Sequence, residues 1–318
     1  MTGSRVVALG HYQPARLLTN EDLAAMVDTS DEWIRSRVGI RTRHVARPDE
    51  TVDEMAAAAA AKALAHSGVS ATDIDLVIVA TSTALDRSPN MAARVAARLG
   101  LSSPATMDLN VVCAGFTHAL ATADHTLRAG AARRALVIGA DKFTVAADWT
   151  DRSTCVLLGD GAGAAVVVAD EDGRPWDGPG IGPVVWGSVP EMGHAVRIEG
   201  TPPRFAQEGQ AVYRWATTQL PPIARQVCER AGVKPEELGA VVLHQANLRI
   251  IEPVARKLGA VNAVIARDVV ESGNTSAASI PLALSKLVER GEVTSGAWAL
   301  LFGFGGNLSY AGQVIRCP

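Results

Sequence analysis

Cys113 is the residue of this chain whose type and position most strongly suggest covalent chemistry. It follows an apolar run over residues 107–112 and opens a helical pattern that continues to Ala129. Backbone N–H groups and the dipole at a helix N-terminus favour a thiolate, and they can lower a cysteine pKa from ~8.5 by about one unit or more. A lone cysteine is more often a small buried core residue, so this interpretation depends on partners.

Two residues further along the chain supply such partners. His244 ends an apolar strand-like run, and Asn274 opens an apolar helical segment. Alone, each has an ordinary structural explanation, because asparagine is a good N-cap and many strand-end histidines are satisfied core residues. Together with Cys113 they suit thioester chemistry. The thiolate would take an acyl group, and the two neutral donors would stabilise the enolate formed when a second thioester loses carbon dioxide.

The composition is that of a globular chain large enough for two domains or one duplicated unit. Of 318 residues, 48% are hydrophobic and 20% charged, with a formal net charge of -3. This balance gives no reason to expect a nucleic acid or a membrane surface as partner. The four cysteines show no CxxC spacing, so we expect neither a disulfide framework nor a metal site. The first residues lack a leader pattern and no apolar run approaches ~18 residues, which predicts a cytoplasmic protein.

The elements that must position these residues alternate between strand-like and helical patterns, which is typical of an α/β fold. Thr51 and Glu54 have the spacing of a capping box, and the alanine-rich segment after them predicts a helix that Gly68 ends. Residues 171–180 are rich in glycine, proline and aspartate, which makes them the best boundary candidate. We therefore divide the chain into residues 1–172 and residues 173–318.

The order of elements in the first half recurs in the second. If the halves are duplicates, the helix opening at Cys113 corresponds to the helix opening at Asn274, and the two residues should meet across a pseudo-two-fold axis. Each half closes on two strand-like runs with a glycine turn between them; in the first half this turn covers residues 159–163. A strand-like run rather than a helix follows those glycines, which argues against a dinucleotide site. Pro221 and Pro222 predict two shorter helices in place of one beginning at Gly209.

Seven stretches, in order along nearly the whole chain, resemble the β-ketoacyl-acyl-carrier-protein synthase III family of thiolase-fold condensing enzymes. The resemblance implies two pseudo-duplicated halves in a five-layered αβαβα arrangement. The seven stretches are Asp31-Glu32-Trp33-Ile34, Cys113-Ala114-Gly115-Phe116, Asp151-Arg152-Ser153-Thr154, Gly159-Asp160-Gly161-Ala162-Gly163-Ala164, His244-Gln245-Ala246-Asn247, residues 273–281, and Gly303-Phe304-Gly305-Gly306.

The resemblance also implies roles for the catalytic residues. Cys113 would be acylated by an acyl-CoA, and His244 and Asn274 would bind the thioester carbonyl of malonyl-acyl-carrier protein and promote decarboxylation. The backbone amides of Cys113 and Gly306 would form the oxyanion hole, and Phe304 would border Cys113. Acyl-CoA and malonyl-carrier protein are substrates, so no further cofactor is implied.

For the CoA starter, the resemblance places Trp33 and Arg152 on either side of the adenine. Arg37 would lie near the phosphates and Asn247 along the pantetheine channel. The residue types agree, because an indole offers a stacking face and arginines bind phosphates.

Acidic carrier proteins require a basic docking surface. Arg249 and Arg256 are seven residues apart and share one helix face. Lys257 lies beside them, and we place Arg214 nearby. The family is homodimeric, and the partner subunit is expected to contribute to the acyl pocket.

Three positions depart from the family pattern. Leu158 stands where phenylalanine is common, and Ser88 stands where a larger residue can close the acyl pocket across the dimer. Both changes remove bulk, which predicts a starter pocket wider than an acetyl-selective one. Asn307 replaces a glycine that can require a positive φ, and asparagine tolerates that conformation best among other residues. The segment 188–210 should lie near the pocket.

We therefore expect a decarboxylative Claisen condensation that initiates fatty-acid or polyketide synthesis. The alternative is an acyltransferase of secondary metabolism on the same fold, which moves an acyl group without decarboxylation. Such an enzyme needs the nucleophile and a base but not the two-donor enolate site. A noncatalytic role is the third possibility, and it predicts that no acyl adduct forms on Cys113.

Overall fold

The computed structural model describes residues 3–86, 88–170 and 180–318. The first half supplies these elements: β1 (Ser4–Tyr12), β2 (Leu17–Thr19), α1 (Asn20–Ala24), α2 (Asp31–Val38), β3 (Thr42–His44), α3 (Val52–Ser67), β4 (Leu76–Ala80), α4 (Met91–Arg98), β5 (Ala105–Leu109), α5 (Gly115–Arg128), β6 (Arg134–Lys142) and β7 (Asp160–Ala169).

The second half repeats the pattern with additional short elements. It supplies β8 (Val185–Gly187), β9 (Val196–Glu199), β10 (Arg204–Gln207), α6 (Gly209–Ala231), β11 (Leu238–Leu243), α7 (Leu248–Leu258), β12 (Val264–Ile265), α8 (Val269–Ser272), α9 (Ser279–Glu289), β13 (Trp298–Phe304) and β14 (Tyr310–Arg316). The boundary placed between residues 172 and 173 lies outside the described residues, as does all but the last residue of the segment 171–180.

The two halves build sheets with the same connectivity. The strand order is β1-β7-β6-β4-β5 in one five-stranded sheet and β8-β14-β13-β11-β12 in the other. In each sheet the three strands at one end are parallel and the other two are antiparallel to their neighbours. This agreement in strand order and direction is what a duplicated unit predicts.

Helices and sheets alternate in five layers, which confirms the expected thiolase-like architecture. The helices α5 and α9 lie between the sheets, where their apolar side chains pack with both. The helices α3 and α4 cover the outer face of the first sheet, and α6 and α7 cover the outer face of the second. The helix α3 begins and ends as predicted, because Thr51 N–H donates to the Glu54 carboxylate at 2.9 Å and Gly68 takes a φ of 69°.

The prediction that Pro221 and Pro222 break a helix is wrong, because α6 runs without interruption through both. Proline 221 cannot donate to the carbonyl of Thr217, four residues earlier. The Lys257 ammonium of α7 donates to that carbonyl instead, at 2.7 Å. A side chain from the neighbouring helix thus satisfies an acceptor that the proline leaves unpaired.

Two local predictions in the first half also fail. The strand-like run predicted before the glycine turn is absent, because residues 156–157 form a turn and Leu158 makes only an isolated bridge to Asn274. The glycines Gly161 and Gly163 lie inside β7 and form no turn. A Cβ on Gly163 would lie 2.4 Å from the Leu282 backbone nitrogen, so this glycine permits α9 to approach the strand. Among the described residues, no helix combines the length and apolarity needed to cross a membrane.

Candidate active site

Cys113 sits in a strained turn between β5 and α5. Residues Val112–Ala114 form a single 3₁₀ turn, and α5 begins at Gly115, two residues later than predicted. Val112 has a φ of 46°, a conformation that is costly for a β-branched residue. Strain of this kind persists where surrounding packing fixes the backbone. The turn presents the Cys113 thiol at the start of the helix that lies between the two sheets.

The loop after β13 presses its backbone onto this turn. A Cβ on Gly305 would lie 2.5 Å from the Cβ of Cys113, and a Cβ on Gly306 would lie 2.7 Å from a Val112 methyl carbon. Hydrogen bonding by the backbone amides of Gly306 and of Cys113 itself favours the thiolate. Both N–H groups therefore lie beside the sulfur, and their use as an oxyanion hole for a thioester carbonyl stays a prediction. The next residue, Asn307, has a φ of 60°, the positive value considered for this position.

The expected lowering of the Cys113 pKa does not occur in this site with nothing bound. Burial raises the pKa of the thiol to about 12, and the nearby Asp141 carboxylate adds to the rise. The Ser276 hydroxyl and the two amides lower it, but they do not compensate for the loss of solvation. Hydrogen-bond donors are present at the helix terminus, as predicted. The loss of hydration of a buried thiolate nevertheless raises the pKa of Cys113 by more than these donors lower it.

His244 follows the last residue of β11 and is 2% exposed. Burial lowers its pKa from 6.5 to about 3, so the imidazole is neutral at ordinary pH. Its Nδ1 lies 2.8 Å from Ser279 Oγ, which also accepts the Gln245 N–H at 3.3 Å. A hydroxyl that accepts from an amide can donate its own proton to Nδ1, and we assign the tautomer on that basis. Nε2–H then remains as the free donor.

Asn274 is held rigidly beside the first half of the chain. Its N–H donates to the Leu157 carbonyl at 2.7 Å, and its carbonyl accepts from Gly159 N–H at 2.9 Å. The side-chain Oδ1 accepts the Ser276 N–H at 2.9 Å. This contact orients the amide so that Nδ2 remains available as a donor.

The three predicted catalytic side chains line one cavity of about 100 Å³. Cys113 and Asn274 do approach each other from the two halves, but they are not strict counterparts. The 3₁₀ turn Ser276–Ala278 precedes α9 as Val112–Ala114 precedes α5, so the position equivalent to Cys113 is Ala277. Like Val112, its counterpart Ser276 has a positive φ, 51°. The helix α9 begins later than the predicted start because this turn separates it from Asn274.

Of the three residues predicted for the acyl pocket, the structure brings one to the cavity. Phe304 lines it, with its ring centroid 5.4 Å from that of His244 in an edge-to-face arrangement. Leu158 is fully buried in the core, and its neighbour Leu157 lines the cavity instead. Ser88 is exposed and does not line the cavity of its own chain.

The residues predicted to bind CoA form two groups. On the surface, the guanidinium carbons of Arg152 and Arg37 lie 5.2 and 6.0 Å from the centroid of the Trp33 ring. Arg152 also donates to the Asp28 backbone carbonyl at 2.6 Å. Asn247 lines the cavity and caps α7 by accepting the N–H two residues ahead at 2.8 Å.

The residues predicted to dock the carrier protein are Arg214 on α6 and Arg249, Arg256 and Lys257 on α7, all exposed; we call them the basic surface. Within the part of the chain that the structure describes, none of the four forms an ion pair. The guanidinium of Arg249 lies 5.9 Å from the ring centroid of Tyr213, which lines the cavity. The basic surface therefore reaches the cavity mouth.

Sequence reasoning missed several cavity residues. The segment 188–210 does lie at the cavity as expected, and Val196, Phe205 and Gln207 of the β9–β10 hairpin line it. Ser276 and Ser279 do not line the cavity but contact Asn274 and His244, and neither was singled out within the stretch 273–281. A serine at the start of the inward-facing helix α9 was the available signal for Ser279. In the described ranges, no group of three metal-ligating side chains is assembled.

Comparison with known proteins places this site in a family. Residues 107–187 match the family described as 3-oxoacyl-[acyl-carrier-protein (ACP)] synthase III, and residues 228–317 match its C-terminal part. Beta-ketoacyl-[acyl-carrier-protein] synthase III 2 of Streptomyces avermitilis is 79% identical over 318 residues, which covers 100% of both chains.

More distant relatives agree in sequence and structure. The mycobacterial beta-ketoacyl-[acyl-carrier-protein] synthase III of Mycobacterium avium is 42% identical, over 100% of this chain and 96% of its own. The priming beta-ketosynthase of the R1128 polyketide biosynthetic pathway superposes with a TM-score of 0.95 at 40% identity, covering 99% of this chain and 96% of its own. The synthase III of Aquifex aeolicus superposes with a TM-score of 0.92 at 39% identity, covering 99% and 100%. The chain belongs to the 3-oxoacyl-[acyl-carrier-protein] synthase III family.

Proposed function

We propose that this protein condenses an acyl-CoA starter with malonyl-acyl-carrier protein and releases carbon dioxide. The observation that carries the proposal is the convergence of Cys113, His244 and Asn274 on one cavity, with two backbone amides at the sulfur. A nucleophile alone would serve acyl transfer. Two neutral donors opposite the nucleophile serve the second step, in which an enolate forms.

Each residue has a distinct role in the two half-reactions. Cys113 attacks the acyl-CoA carbonyl, and the amides of Cys113 and Gly306 stabilise the tetrahedral oxyanion before CoA leaves. His244 Nε2–H and Asn274 Nδ2 then donate to the thioester carbonyl of the malonyl group. When carbon dioxide leaves, the enolate carbon attacks the acyl carbonyl on Cys113. The C–S bond then breaks, so that the β-ketoacyl-carrier protein is released and Cys113 leaves as a thiolate that takes up a proton. Both donors are neutral, because the low pKa of His244 keeps its imidazole uncharged.

The surface aromatic group supports CoA binding. Arg152 already stacks near one face of Trp33, and an adenine would stack on that indole between the two side chains. Arg37, one helical turn after Trp33 on α2, supplies a hydrogen-bond donor for a phosphate. Asn247 lines the cavity that contains Cys113, and the proposal places the pantetheine arm beside it.

The basic surface supports docking of an acidic carrier protein. Its charges are not neutralised internally by the described residues, and Arg249 adjoins the cavity mouth. We expect Arg249→Glu to raise the KM for malonyl-carrier protein by about 10-fold or more, because an attractive contact becomes repulsive. Acylation by acyl-CoA should be nearly unchanged and serves as the control. Condensation kinetics equal to those of the unaltered protein would contradict this docking surface.

The starter is proposed to be a branched, longer or otherwise unusual acyl group. Apolar side chains line the cavity, among them Val196, Val212 and Ile250. Ser88 carries little bulk, and its exposure is consistent with a place in the pocket of a partner subunit. The proposed assembly is therefore a homodimer, and the product primes fatty-acid or polyketide synthesis. A panel of acyl-CoA chain lengths and branching patterns identifies the starter.

The deciding experiment follows both products. Incubation with an acyl-CoA and carboxyl-labelled malonyl-carrier protein should release labelled carbon dioxide together with a β-ketoacyl-carrier protein. Mass spectrometry after acyl-CoA alone should show an adduct that Cys113→Ala abolishes. Acyl transfer to the carrier protein without release of carbon dioxide would contradict the proposal and favour the acyltransferase alternative.

A further inference from the structure

The proposed acylation of Cys113 needs a group that accepts the thiol proton. The thiol is buried, and its pKa of about 12 makes spontaneous ionisation rare. Besides Tyr213 at the cavity mouth, two titratable groups of the described chain face it: His244 across the cavity and Asp141 behind it. With a pKa of about 3, His244 is a weak base and is committed as a donor.

Asp141 is a fully buried carboxylate near the end of β6. Four donors reach its Oδ1: Thr81 Oγ at 3.1 Å, Ser82 N at 2.8 Å, Ser82 Oγ at 3.2 Å and Thr83 Oγ at 2.9 Å. Its Oδ2 accepts the Ala277 N–H at 3.0 Å. No cation pairs with it among the described residues, and burial raises its pKa. Oδ2 thus has one bond where Oδ1 has four, which leaves it room to accept another proton.

Ser276 is a neighbour of both this carboxylate and the nucleophile. It is fully buried, and its Oγ has no hydrogen-bond partner, which is a cost that needs an explanation. The Ser276 amide is bound by Asn274, and the next amide, that of Ala277, is bound by Asp141. Burial has the largest effect on the pKa of Cys113 and raises it. The Ser276 hydroxyl has the next largest effect and lowers it, and the same hydroxyl also lowers the pKa of Asp141. The hydroxyl thus lies near both groups without being hydrogen-bonded to either of them in this structure.

We propose that the Ser276 hydroxyl relays the Cys113 proton to the Asp141 carboxylate when an acyl-CoA enters the cavity, an inference that rests on the proposed acylation of Cys113. The S–H bond breaks as its proton passes to Ser276 Oγ, and the hydroxyl proton passes to Asp141 Oδ2. The thiolate forms the new S–C bond, and CoA leaves as a thiolate. That thiolate takes the proton back by the same route, so CoA departs as a thiol and Asp141 is again ionised.

Electrostatics favours this route over the alternative. Before and after the transfer, Cys113 and Asp141 together carry one negative charge, which only moves. Transfer to His244 would create an anion and a cation in a buried site, and each new charge loses its hydration. The repulsion between Asp141 and a thiolate, which raises the pKa of Cys113, also disappears once Asp141 is protonated.

The test is the rate of Cys113 acylation as a function of pH, followed by rapid-quench mass spectrometry with an acyl-CoA that loads the unaltered protein. Ser276→Ala and Asp141→Asn should each slow acylation by about 100-fold near neutral pH, the usual scale of general base catalysis. The difference in acylation rate between each variant and the unaltered protein should become smaller as pH rises, because hydroxide can remove the thiol proton directly. The double variant should be no slower than the slower single variant.

Ser285→Ala is the matched control, because it removes another buried serine hydroxyl, one that contacts His11 and no cavity residue. Its acylation profile should match that of the unaltered protein. A rate loss in Ser276→Ala by the same factor at every pH, or no loss, would overturn the relay even if Asp141→Asn does not fold. If the unaltered protein forms no adduct with any acyl-CoA, the proposed function fails along with the relay.

Discussion

Burial controls the protonation of Cys113 and His244 in the cavity. It raises the pKa of Cys113 to about 12 and lowers that of His244 to about 3, so both are neutral before substrate binds. For His244 the neutral state is the working state, because a donor to a thioester carbonyl needs only its N–H. For Cys113 the neutral state is a resting state, and acylation requires a proton acceptor. Burial therefore keeps His244 in its working protonation state and Cys113 in its unreactive one.

Ser279→Ala should separate the two half-reactions at the residue scale. Without the hydroxyl at 2.8 Å, nothing we have identified fixes the His244 tautomer with Nε2–H toward the cavity. We expect release of carbon dioxide to slow by about 10-fold, the effect of losing one orienting hydrogen bond, while Cys113 acylation keeps its rate. Ser285→Ala, which removes the equivalent contact to His11, should change neither rate. Equal slowing of both half-reactions in Ser279→Ala would contradict the assignment.

Residue types and spacing predicted which side chains would meet, but not their energetics. Cys113, His244 and Asn274 share a cavity as expected. The direction of the Cys113 pKa shift was predicted incorrectly, because the sequence shows a helix start but not how deeply it is buried. Asp141 lies in none of the seven stretches and Ser276 was not distinguished from the rest of residues 273–281, so only the packing of the two 3₁₀ turns reveals their proximity.

At the scale of elements, the helix α6 shows how a neighbour can overrule a local rule. The capping box at Thr51 and the glycine at position 68 predicted α3 with its observed ends. The same reasoning divided α6 at Pro221, since it could not include Lys257 from another helix. Helix starts at the two 3₁₀ turns were also misplaced, because the positive φ values there depend on contacts between halves.

Lys257→Met tests this explanation of α6. The methionine keeps the apolar stem but leaves the Thr217 carbonyl without a donor, so the free energy of unfolding should fall by about 1 kcal/mol. Urea titration followed by circular dichroism measures it. Arg256→Met, which alters the adjacent exposed cation of the basic surface, is the control and should leave stability nearly unchanged. Equal stabilities of the two variants would show that the ammonium is not needed at this carbonyl.

At the scale of the whole molecule, duplication explains both the core and the position of the site. Each sheet packs on α5 and α9, and the turns that begin these helices meet at the centre. The two halves differ at the position of the nucleophile. The first half has Cys113 there and the second half has Ala277, whose backbone amide donates to Asp141. The order of elements in the sequence predicted the duplication. Only the structure shows that the counterpart of Cys113 is Ala277, three residues after Asn274.

The pH dependence of stability should report on His11, a partly buried histidine of β1. Burial first, and then nearby Lys62, lower the pKa of His11 from 6.5 to about 4. The unfolded chain binds a proton below about pH 6.5 that the folded chain refuses until about pH 4, so stability falls as pH drops through this window. Between about pH 7 and pH 5, His11 should account for a loss of about 2 kcal/mol.

His11→Gln provides the comparison. The decline in unfolding free energy over that pH range should be smaller in the variant by this amount, with the other titrating groups common to both proteins. Asp160, whose pKa burial raises to about 6, acts in the opposite direction and cancels in the difference. Parallel pH dependences of the two proteins would contradict a neutral, partly buried His11.

The division of labour within the cavity is the central claim, and separating the half-reactions in variants tests it most directly. Mass spectrometry of the Cys113 adduct and release of labelled carbon dioxide from malonyl-carrier protein should be measured side by side. His244→Ala and Asn274→Ala should form the adduct fully and release little carbon dioxide. Cys113→Ala should form no adduct yet still decarboxylate malonyl-carrier protein. Loss of the adduct in His244→Ala as complete as in Cys113→Ala would contradict the claim.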